Sequence, residues 1–211
     1  MQDNSFAHDY NSPDYGISVS LDVAATAGNL LVSGVAIDKF SGTIMVPSGF
    51  TLIEKGEGDT SSGAMAYKVA SGGETTISWI WTESQEGSVW IGEYSGLATS
   101  DVLDVSAENE SFMADGDTTN SISTGTTAAT GQADELAIAL FASDSGNSVG
   151  TSRSWSNGFV TIDEVTTTSG SPFLNVASKT LDLIGTVEST LSHDGSDESY
   201  AMIATFKAIT P

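Results

Sequence analysis

Apolar and polar side chains alternate in short runs along this chain, and this period of two constrains the fold more than any other feature. Residues 17–23 and 77–81 follow it most clearly, with an apolar side chain at every second position. Because successive side chains of a strand point to opposite faces, such runs predict half-buried strands. Helical spacing is nearly absent, and only Ala133–Phe141 fits a helix as well as it fits a buried strand. We therefore predict an all-β fold.

The two halves of the chain carry similar segments in the same order. In the first half these segments are Gly28–Ala36, Pro47–Phe50, Tyr67–Ala70 and Val89–Tyr94. In the second half they are Asp134–Phe141, Ser156–Phe159, Asn175–Ser178 and Ala201–Phe206. The pattern predicts about four strands in each half, and a sheet of four strands cannot bury both of its faces by itself. Two such halves predict a single jelly-roll-like β-sandwich of about eight strands, built from pseudo-repeats at about residues 17–110 and 120–208.

The last segment of each pseudo-repeat indicates which face is buried. In the first copy the face that carries Trp90 and Tyr94 is apolar, and the opposite face is mixed. The second copy has the same pattern, with Met202 and Phe206 on the apolar face. We therefore expect each sheet to bury one face only.

The segment before residue 17 fits neither copy. Residues 1–16 are polar and acidic but include Phe6, Tyr10 and Tyr15. Two interpretations remain open, an N-terminal arm that contacts a neighbouring subunit through these aromatics and a frayed terminus. The predicted organisation is thus an arm at 1–16 followed by one sandwich domain at 17–211.

Charge and composition exclude several classes of function. The chain has 28 acidic and 6 basic residues, a net charge of −22, so nucleic acid and anionic membranes are not expected partners. Because it has no Cys, disulfides, thiolate zinc sites and cysteine nucleophiles are excluded. The first residues lack the basic and apolar regions of a secretory signal, and no apolar run is long enough to cross a membrane. We expect a protein made in the cytoplasm.

The motifs of enzymes are missing. The two histidines are His8, in the predicted arm, and His193, in a segment that we interpret as a solvated loop. Gly92–Gly96 resembles the G-x-S-x-G turn of hydrolases, but its serine stands in the wrong position. Phosphate-binding glycine loops are absent. A glycosidase needs only two carboxylates, and nothing selects a pair among the acids. We predict that the chain is not an enzyme.

Calcium is the one cofactor whose ligand chemistry the sequence offers, through three acidic loops that contain glycine. These loops are Asp115–Asp117, Asp144–Asn147 and Asp194–Glu198. None has the full spacing of a calcium loop, and Asp, Asn and Gly are also what tight turns require. We expect no cofactor, with calcium as the alternative that stays open.

Four tryptophans bear on sugar binding, since a sugar ring packs on a flat indole. Trp79, Trp81 and Trp90 lie on apolar faces of predicted strands and are interpreted as core. Trp155 lies beside Arg153 and the Asn157–Gly158 turn, so we expect it to be exposed and to be the candidate glycan contact.

Four segments of the first half resemble a known family. They are G-N-L-L-V at 28–32, P-S-G-F-T at 47–51, the Y-K-V-A strand at 67–70 and the aromatic strand that ends Y-S-G at 94–96. Together they are similar to jelly-roll proteins of tailed bacteriophages and some bacteria, and most resemble head decoration (cement) proteins. The resemblance implies a non-enzymatic homotrimer on the capsid exterior, at local threefold positions, in contact with the major capsid protein. The second half lacks the proline and the Y-S-G ending.

Two other functions remain open. One is a carbohydrate- or receptor-binding β-sandwich module of a phage tail or a bacterial surface, which predicts an exposed aromatic cluster. The other is a glycan-degrading enzyme, which predicts a cleft with paired carboxylates. A decoration protein predicts neither feature.

Overall fold

The computed structural model describes residues 2–38, 42–57, 61–111, 120–143, 151–165, 172–195 and 199–209, with the backbone alone for 2–12, 110 and 111. Every regular element in these ranges is a β-strand, which confirms the predicted all-β class. None of the described residues forms a helix that could cross a membrane. In chain order the strands are β1 (Gln2–Ser20), β2 (Leu30–Asp38), β3 (Ile44–Met45), β4 (Thr51–Glu57), β5 (Ser61–Val69), β6 (Thr76–Ser95), β7 (Leu103–Ser111), β8 (Ser121–Ser123), β9 (Glu135–Ser143), β10 (Arg153–Trp155), β11 (Val160–Val165), β12 (Phe173–Leu181), β13 (Thr190–His193) and β14 (Ser199–Phe206).

Two large antiparallel sheets form the centre of the fold, and each takes its strands from one half of the chain. The first has the order β1-β6-β2-β5-β4, with β3 also paired to β6, and the second has the order β7-β14-β9-β12-β11. A Greek key, the unit of a jelly roll, places four consecutive strands in the order 4-1-2-3. The four main strands of each half are instead ordered 4-1-3-2, because β2 pairs with β5 and β9 pairs with β12.

The two large sheets pack face to face over a shared apolar core. β2, β5 and β6 contribute Val32, Met65 and Trp90, among others, and the second sheet contributes Leu140 and Met202. All five side chains are fully buried. At roughly 25 cal/mol for each Å² of apolar surface, burial of such a core is the main term that favours folding.

The outer face of the first sheet is covered as well, by the far ends of β1 and β6 together with β3. Trp79 and Trp81 of β6 join Val89 and Ile91 of the same strand in one apolar cluster, so β6 bends between residues 81 and 87. Gly87 permits this bend, because a Cβ atom there would lie 2.6 Å from the Trp81 ring. The outer face of the second sheet is covered by the three-stranded sheet β10-β13-β8.

The expectation of one buried face per sheet is therefore wrong. Every residue of β9 and β14 is buried, as are all residues of β2 except Asp38. The physical reason is that each half builds its own outer layer. In the first half this layer consists of β3 and the far ends of β1 and β6, and in the second half it consists of the short strands β8, β10 and β13. This layer also raises the strand number to fourteen among the described residues, above the eight expected. Ala133–Phe141, left open between helix and strand, contributes most of the fully buried β9.

The N-terminal segment belongs to the first sheet. β1 pairs with β6 from Gln2, opposite Ser95, to Ser20, opposite Thr76. The boundary expected at residue 16 thus falls inside one strand, and the backbone of 2–16 does not leave the domain as an arm. The long edge of β6 explains this pairing, because its unpaired N–H and C=O groups need partners.

Candidate functional site

Each half of the fold carries a surface groove beside a tight turn. The first groove, of about 510 Å³, lies against the turn Pro47–Phe50, and the second, of about 480 Å³, lies against Ser156–Phe159. The first turn joins β3 to β4 and the second joins β10 to β11. In both halves the turn therefore connects an outer-layer strand to the edge strand of the large sheet, and the grooves occupy matching positions.

A backbone hydrogen bond closes each turn. The Phe50 N–H donates to the Pro47 carbonyl over 3.0 Å, and the Phe159 N–H donates to the Ser156 carbonyl over 3.2 Å. Both phenylalanines are buried beneath the outer layer. The third residue of each turn is a glycine with positive φ, +78° at Gly49 and +76° at Gly158, a conformation that other residues adopt only with strain.

We predict that replacing either turn glycine by alanine lowers the free energy of unfolding by about 1 kcal/mol. A methyl group at Gly49 would lie 3.6 Å from the Lys68 side chain, an ordinary contact, so the cost is conformational and not steric. Urea denaturation followed by circular dichroism measures it. Gly185→Ala is the control, because Gly185 has no positive φ and open space around it. Equal losses for Gly49→Ala and Gly185→Ala would contradict the turn assignment.

A lysine crosses each turn. Lys179 donates from Nζ to the Asn157 carbonyl over 2.8 Å, inside the second turn. Lys68 lies at the matching place on β5, with its Nζ 2.7 Å from Glu74 Oε1. Two of the chain's six basic residues thus occupy the same position in the two grooves.

The first groove holds a strongly ionised carboxylate. The hydrogen bond from Lys68 lowers the pKa of Glu74 to about 2, against the opposing effect of burial. Backbone N–H groups of Ser71 and Gly72 also donate to this carboxylate, each over 2.9 Å. Glu74 therefore stays charged throughout the physiological range and fixes the loop that precedes β6.

Aliphatic side chains are exposed at both grooves. Met45 and Ile80 line the first groove, and Leu183 and Ile184 line the second. Ile80 is 48% exposed, whereas Leu183 and Ile184 are 80% and 62% exposed. Single exposed aliphatics are ordinary, but a groove lined by several of them suits a binding surface.

Trp155 differs from the expectation of an exposed indole. Its ring is half-buried and packs against the clusters beneath β10, and its Nε1 donates to Asn175 Oδ1 over 2.6 Å. Asn175 in turn donates to Glu164, and Arg153 forms a bidentate pair with the same carboxylate over 2.5 and 2.9 Å. This network fixes the position of the indole Nε1. A glycan contact at Trp155 stays a prediction that the placement does not favour. Trp79, Trp81 and Trp90 are buried, as expected.

The aromatics of the expected arm lie on β1. Phe6 pairs with Gly92 and Tyr10 with Ser88 through the backbone, and the side chains of both lie outside the described part. Tyr15 is 59% exposed near the irregular register between residues 11 and 16. A partner contact through these three residues stays a prediction.

The expected calcium loops fall largely on residues that the structure does not describe. Asp115–Asp117 and Asp144–Asn147 lie outside the described ranges, as do residues 196–198 of the third loop. The described part of that loop has a structural role, since Asp194 Oδ1 accepts from the Ser152 N–H over 3.0 Å. Within the described ranges, no three Asp, Glu or His side chains are grouped so that they could hold a metal ion.

His193 was expected in a solvated loop, and this is wrong. The side chain is buried at the end of β13, with its ring 5.6 Å from the ring of Phe141. The outer layer of the second half, which the sequence pattern does not reveal, removes it from solvent.

An unexpected carboxylate is buried at the start of β9. Glu135 is fully buried, and burial raises the pKa of its carboxyl to about 7, with the neighbouring Asp104 adding to the rise. Burial also disfavours the charged form of Asp104, but hydrogen bonds from the Gly131 N–H, the Glu135 carboxyl and Lys207 outweigh it and keep the pKa of Asp104 below its usual range. Lys207 Nζ lies 3.4 Å from Asp104 Oδ1. The pair contacts neither groove, and we assign it a structural role.

The grooves were missed at the level of sequence, although some of their signals are visible there. Both turns were identified as repeated segments, and a lysine follows the turn glycine after 19 residues in one half and 21 in the other. What the pattern could not supply is that the loop after β12 places Leu183 and Ile184 next to the second turn.

Comparison of the chain with protein-family models, curated proteins and solved structures finds no match.

Proposed function

We propose that the chain is a non-enzymatic structural protein of a phage particle, which decorates and stabilises the capsid as a homotrimer at local threefold positions. The observation that carries the proposal is the presence of matching grooves on the two outer sides of one sandwich, each with exposed aliphatic side chains at its wall. A molecule with contact surfaces on opposite sides is suited to bridging neighbours. The partner besides the chain itself is the major capsid protein, and the location is the capsid exterior.

The surface charge supports this role. A net charge of −22 on a chain of 21.7 kDa favours solubility and discourages non-specific association. Contacts between such chains must therefore be apolar or carefully paired. The exposed aliphatics at the grooves provide the first kind of contact, and the resemblance of residues 28–32, 47–51, 67–70 and 94–96 to decoration proteins points to the same function.

The proposal includes the two pseudo-repeats, one in each half of the chain. Three features agree between the halves: the 4-1-3-2 strand order, the turn with its positive-φ glycine, and the lysine that crosses it. The outer layers agree as well, since β3-β6-β1 in the first half corresponds to β10-β13-β8 in the second. A jelly-roll relationship rests on the sequence resemblance and the two-sheet architecture, and the strand order departs from it.

Particle stability tests the proposed role directly. We expect the chain to co-purify with phage particles from its source, and particles that lack it to release their genome at a lower temperature and at low ionic strength. Adding the purified chain back should restore the original release temperature, whereas an unrelated acidic protein should not. An equal temperature of genome release for particles with and without the chain would contradict the proposal.

We predict that low salt weakens the trimer. Three chains carry three times −22, or −66, and the Debye length grows from about 8 Å at physiological salt to about 30 Å at 0.01 M, so repulsion between subunits increases as salt falls. Sedimentation velocity should show a species of three times 21.7 kDa at high salt and smaller species at low salt. A single sedimenting species at all salt concentrations would contradict this prediction.

A further inference from the structure

A segment without strand structure connects the second outer layer to the second large sheet. It comprises residues 124–132, between the end of β8 and the start of β9, and we call it the strap. A buried threonine recurs in it at every third position, as Thr124, Thr127 and Thr130. A period of three is that of an extended polyproline-type segment and not of a strand, so the search for alternating residues does not reveal it.

Each buried threonine of the strap forms a reciprocal pair with the loop after β12, residues 182–189. The threonine N–H donates to a carbonyl of the loop, and the threonine Oγ1 accepts from the N–H of the same loop residue, over 2.8–3.2 Å. Thr124 pairs with Ser189, Thr127 with Val187 and Thr130 with Gly185. The strap therefore fixes the loop that lines the second groove, and its last pair lies directly beside Ile184 in the chain.

Carboxyl groups hold the end of the strap that leads into β9. The Gly131 N–H donates to Asp104 Oδ2, and the Gln132 N–H faces the carboxyl of Glu135. A Cβ atom at Gly131 would lie 3.2 Å from Asp104 Oδ1, so the backbone approaches this carboxylate closely. The buried pair Glu135–Asp104 contacts neither groove, but one short stretch of backbone joins it to the loop of the second groove.

The groups around Glu135 do not compensate a negative charge there. Asp104 of β7 is the acid that faces it, and Lys207, which follows β14, lies 3.4 Å from Asp104 Oδ1 and pairs with that carboxylate. β12 contributes Leu181, and β14 contributes Thr205. The strap itself has no titratable side chain. Ionised Glu135 is thus a second carboxylate in a buried site that holds one cation, and it needs water.

Release of the strap is the least disruptive way to admit this water. β7 and β9, which carry Asp104 and Glu135, are both hydrogen-bonded to β14 within the second large sheet. The strap belongs to no described strand. Asp134, between the strap and β9, has a φ of +59°, a conformation that residues other than glycine adopt at a cost. Release of residues 130–132 leaves the hydrogen bonds of the sheet in place and allows this backbone to relax.

We propose that loss of the Glu135 proton to solvent releases the end of the strap, and that this release frees the loop after β12 at the second groove. While Glu135 holds its proton, it donates to Asp104, and Asp104 accepts from the Gly131 N–H. When Glu135 is ionised, the two carboxylates repel each other and the strap moves away from them. The neighbouring pair of Thr130 with Gly185 then opens. The inference goes beyond the proposed function and does not depend on it, because it concerns the isolated chain.

Amide hydrogen exchange followed by nuclear magnetic resonance, corrected for the intrinsic rate at each pH, tests the proposal. The pKa of the Glu135 carboxyl is about 7 when buried and returns toward an ordinary 4.5 in water, so the proton holds the strap closed below pH 4.5 and this effect is lost as the pH rises through 7. We expect protection of the Thr130 and Gly185 N–H groups to fall roughly 200-fold between pH 4 and 8. In Glu135→Gln their protection should not change with pH.

Comparison with the centre of the sheet distinguishes release of the strap from unfolding of the whole chain. The Leu140 N–H, in the middle of the fully buried β9, reports global unfolding. The Gly185 N–H should be less protected than the Leu140 N–H at every pH. Equal protection of the two would mean that the strap opens only when the whole fold does, and it would overturn the proposal. Protection of Gly185 that is independent of pH in the wild type would overturn it as well.

A matched pair of threonine variants tests whether the strap holds the loop. Thr130→Val removes the oxygen that accepts from the Gly185 N–H, and it should lower the protection of Gly185 roughly tenfold at pH 4. Thr124→Val makes the same change at the far end of the strap, where Oγ1 accepts from Ser189, and it should leave Gly185 unchanged. Equal protection of Gly185 in the two variants would show that Thr130 does not transmit release of the strap to the groove, and the proposal would fail.

Discussion

Replacing Trp79 by alanine is expected to lower the free energy of unfolding by about 3–5 kcal/mol, a large part of the stability of a typical domain. The indole is fully buried between the outer layer and the first sheet. Its Nε1 also donates to Ser33 Oγ over 2.9 Å, and Ser33 in turn donates to the Trp90 carbonyl over 2.7 Å. The substitution therefore removes apolar contacts, leaves a cavity and interrupts a buried chain of hydrogen bonds.

Urea denaturation followed by far-ultraviolet circular dichroism measures this loss without depending on tryptophan fluorescence. The control is Ile80→Ala, one residue further along β6, where the side chain points to the opposite face and is partly exposed. For this control we expect a change within about 1 kcal/mol. Similar losses for Trp79→Ala and Ile80→Ala would mean that the outer layer contributes little to the cooperative core.

Replacing Glu135 by glutamine is expected to stabilise the protein, and the gain should depend on pH. The pKa of the Glu135 carboxyl rises from an ordinary 4.5 to about 7 on folding, so the folded state binds the proton more tightly. The stability that this proton provides is present below pH 4.5 and is lost as the pH rises through 7. At 1.36 kcal/mol per pKa unit, the loss above pH 7 amounts to about 3 kcal/mol. Glutamine carries no charge and avoids it.

Unfolding free energies measured between pH 4 and 9 test the prediction. The curves of the wild type and Glu135→Gln should nearly coincide at the acidic end, separate between pH 4.5 and 7, and run parallel above pH 7. Ile80→Ala, which changes no titratable group, should keep the pH dependence of the wild type. A constant difference between wild type and Glu135→Gln at every pH would mean that the carboxyl does not titrate in this window.

The strands could be predicted from the sequence because their signal is local. Apolar and polar residues alternate at 17–20 and 77–81, and both segments form strands with the expected residues buried. The same local rule failed for β2, β9 and β14, because their outer faces are buried as well, with Ser33 of β2 and Ala139 of β9 among the residues on those faces. Burial of that face depends on an outer layer supplied by distant segments, and a pattern within one strand cannot reveal it.

The functional surface was less predictable than the fold for a related reason. The turn at Gly49 has a clear local signature, but the pair Leu183–Ile184 is ordinary as a sequence, since aliphatic pairs occur throughout the chain. The exposure of this pair depends on where the loop after β12 lies in the fold, which a local pattern does not show. Trp155 shows the opposite error, because its neighbours suggested exposure while Asn175, distant in the chain, holds it in place.

The two halves differ in how their layers are connected. In the first half, β6 is a single strand that belongs to the large sheet at one end and to the outer layer at the other. In the second half, β13 belongs to the outer layer and β14 belongs to the large sheet, so the two layers share no strand. Opening of the first outer layer therefore disturbs the backbone hydrogen bonds of β6 in the first large sheet, so this layer and this sheet must open together. The second outer layer has no such shared strand and can open by itself, so local fluctuation should be concentrated on the side of the molecule that carries Leu183 and Ile184.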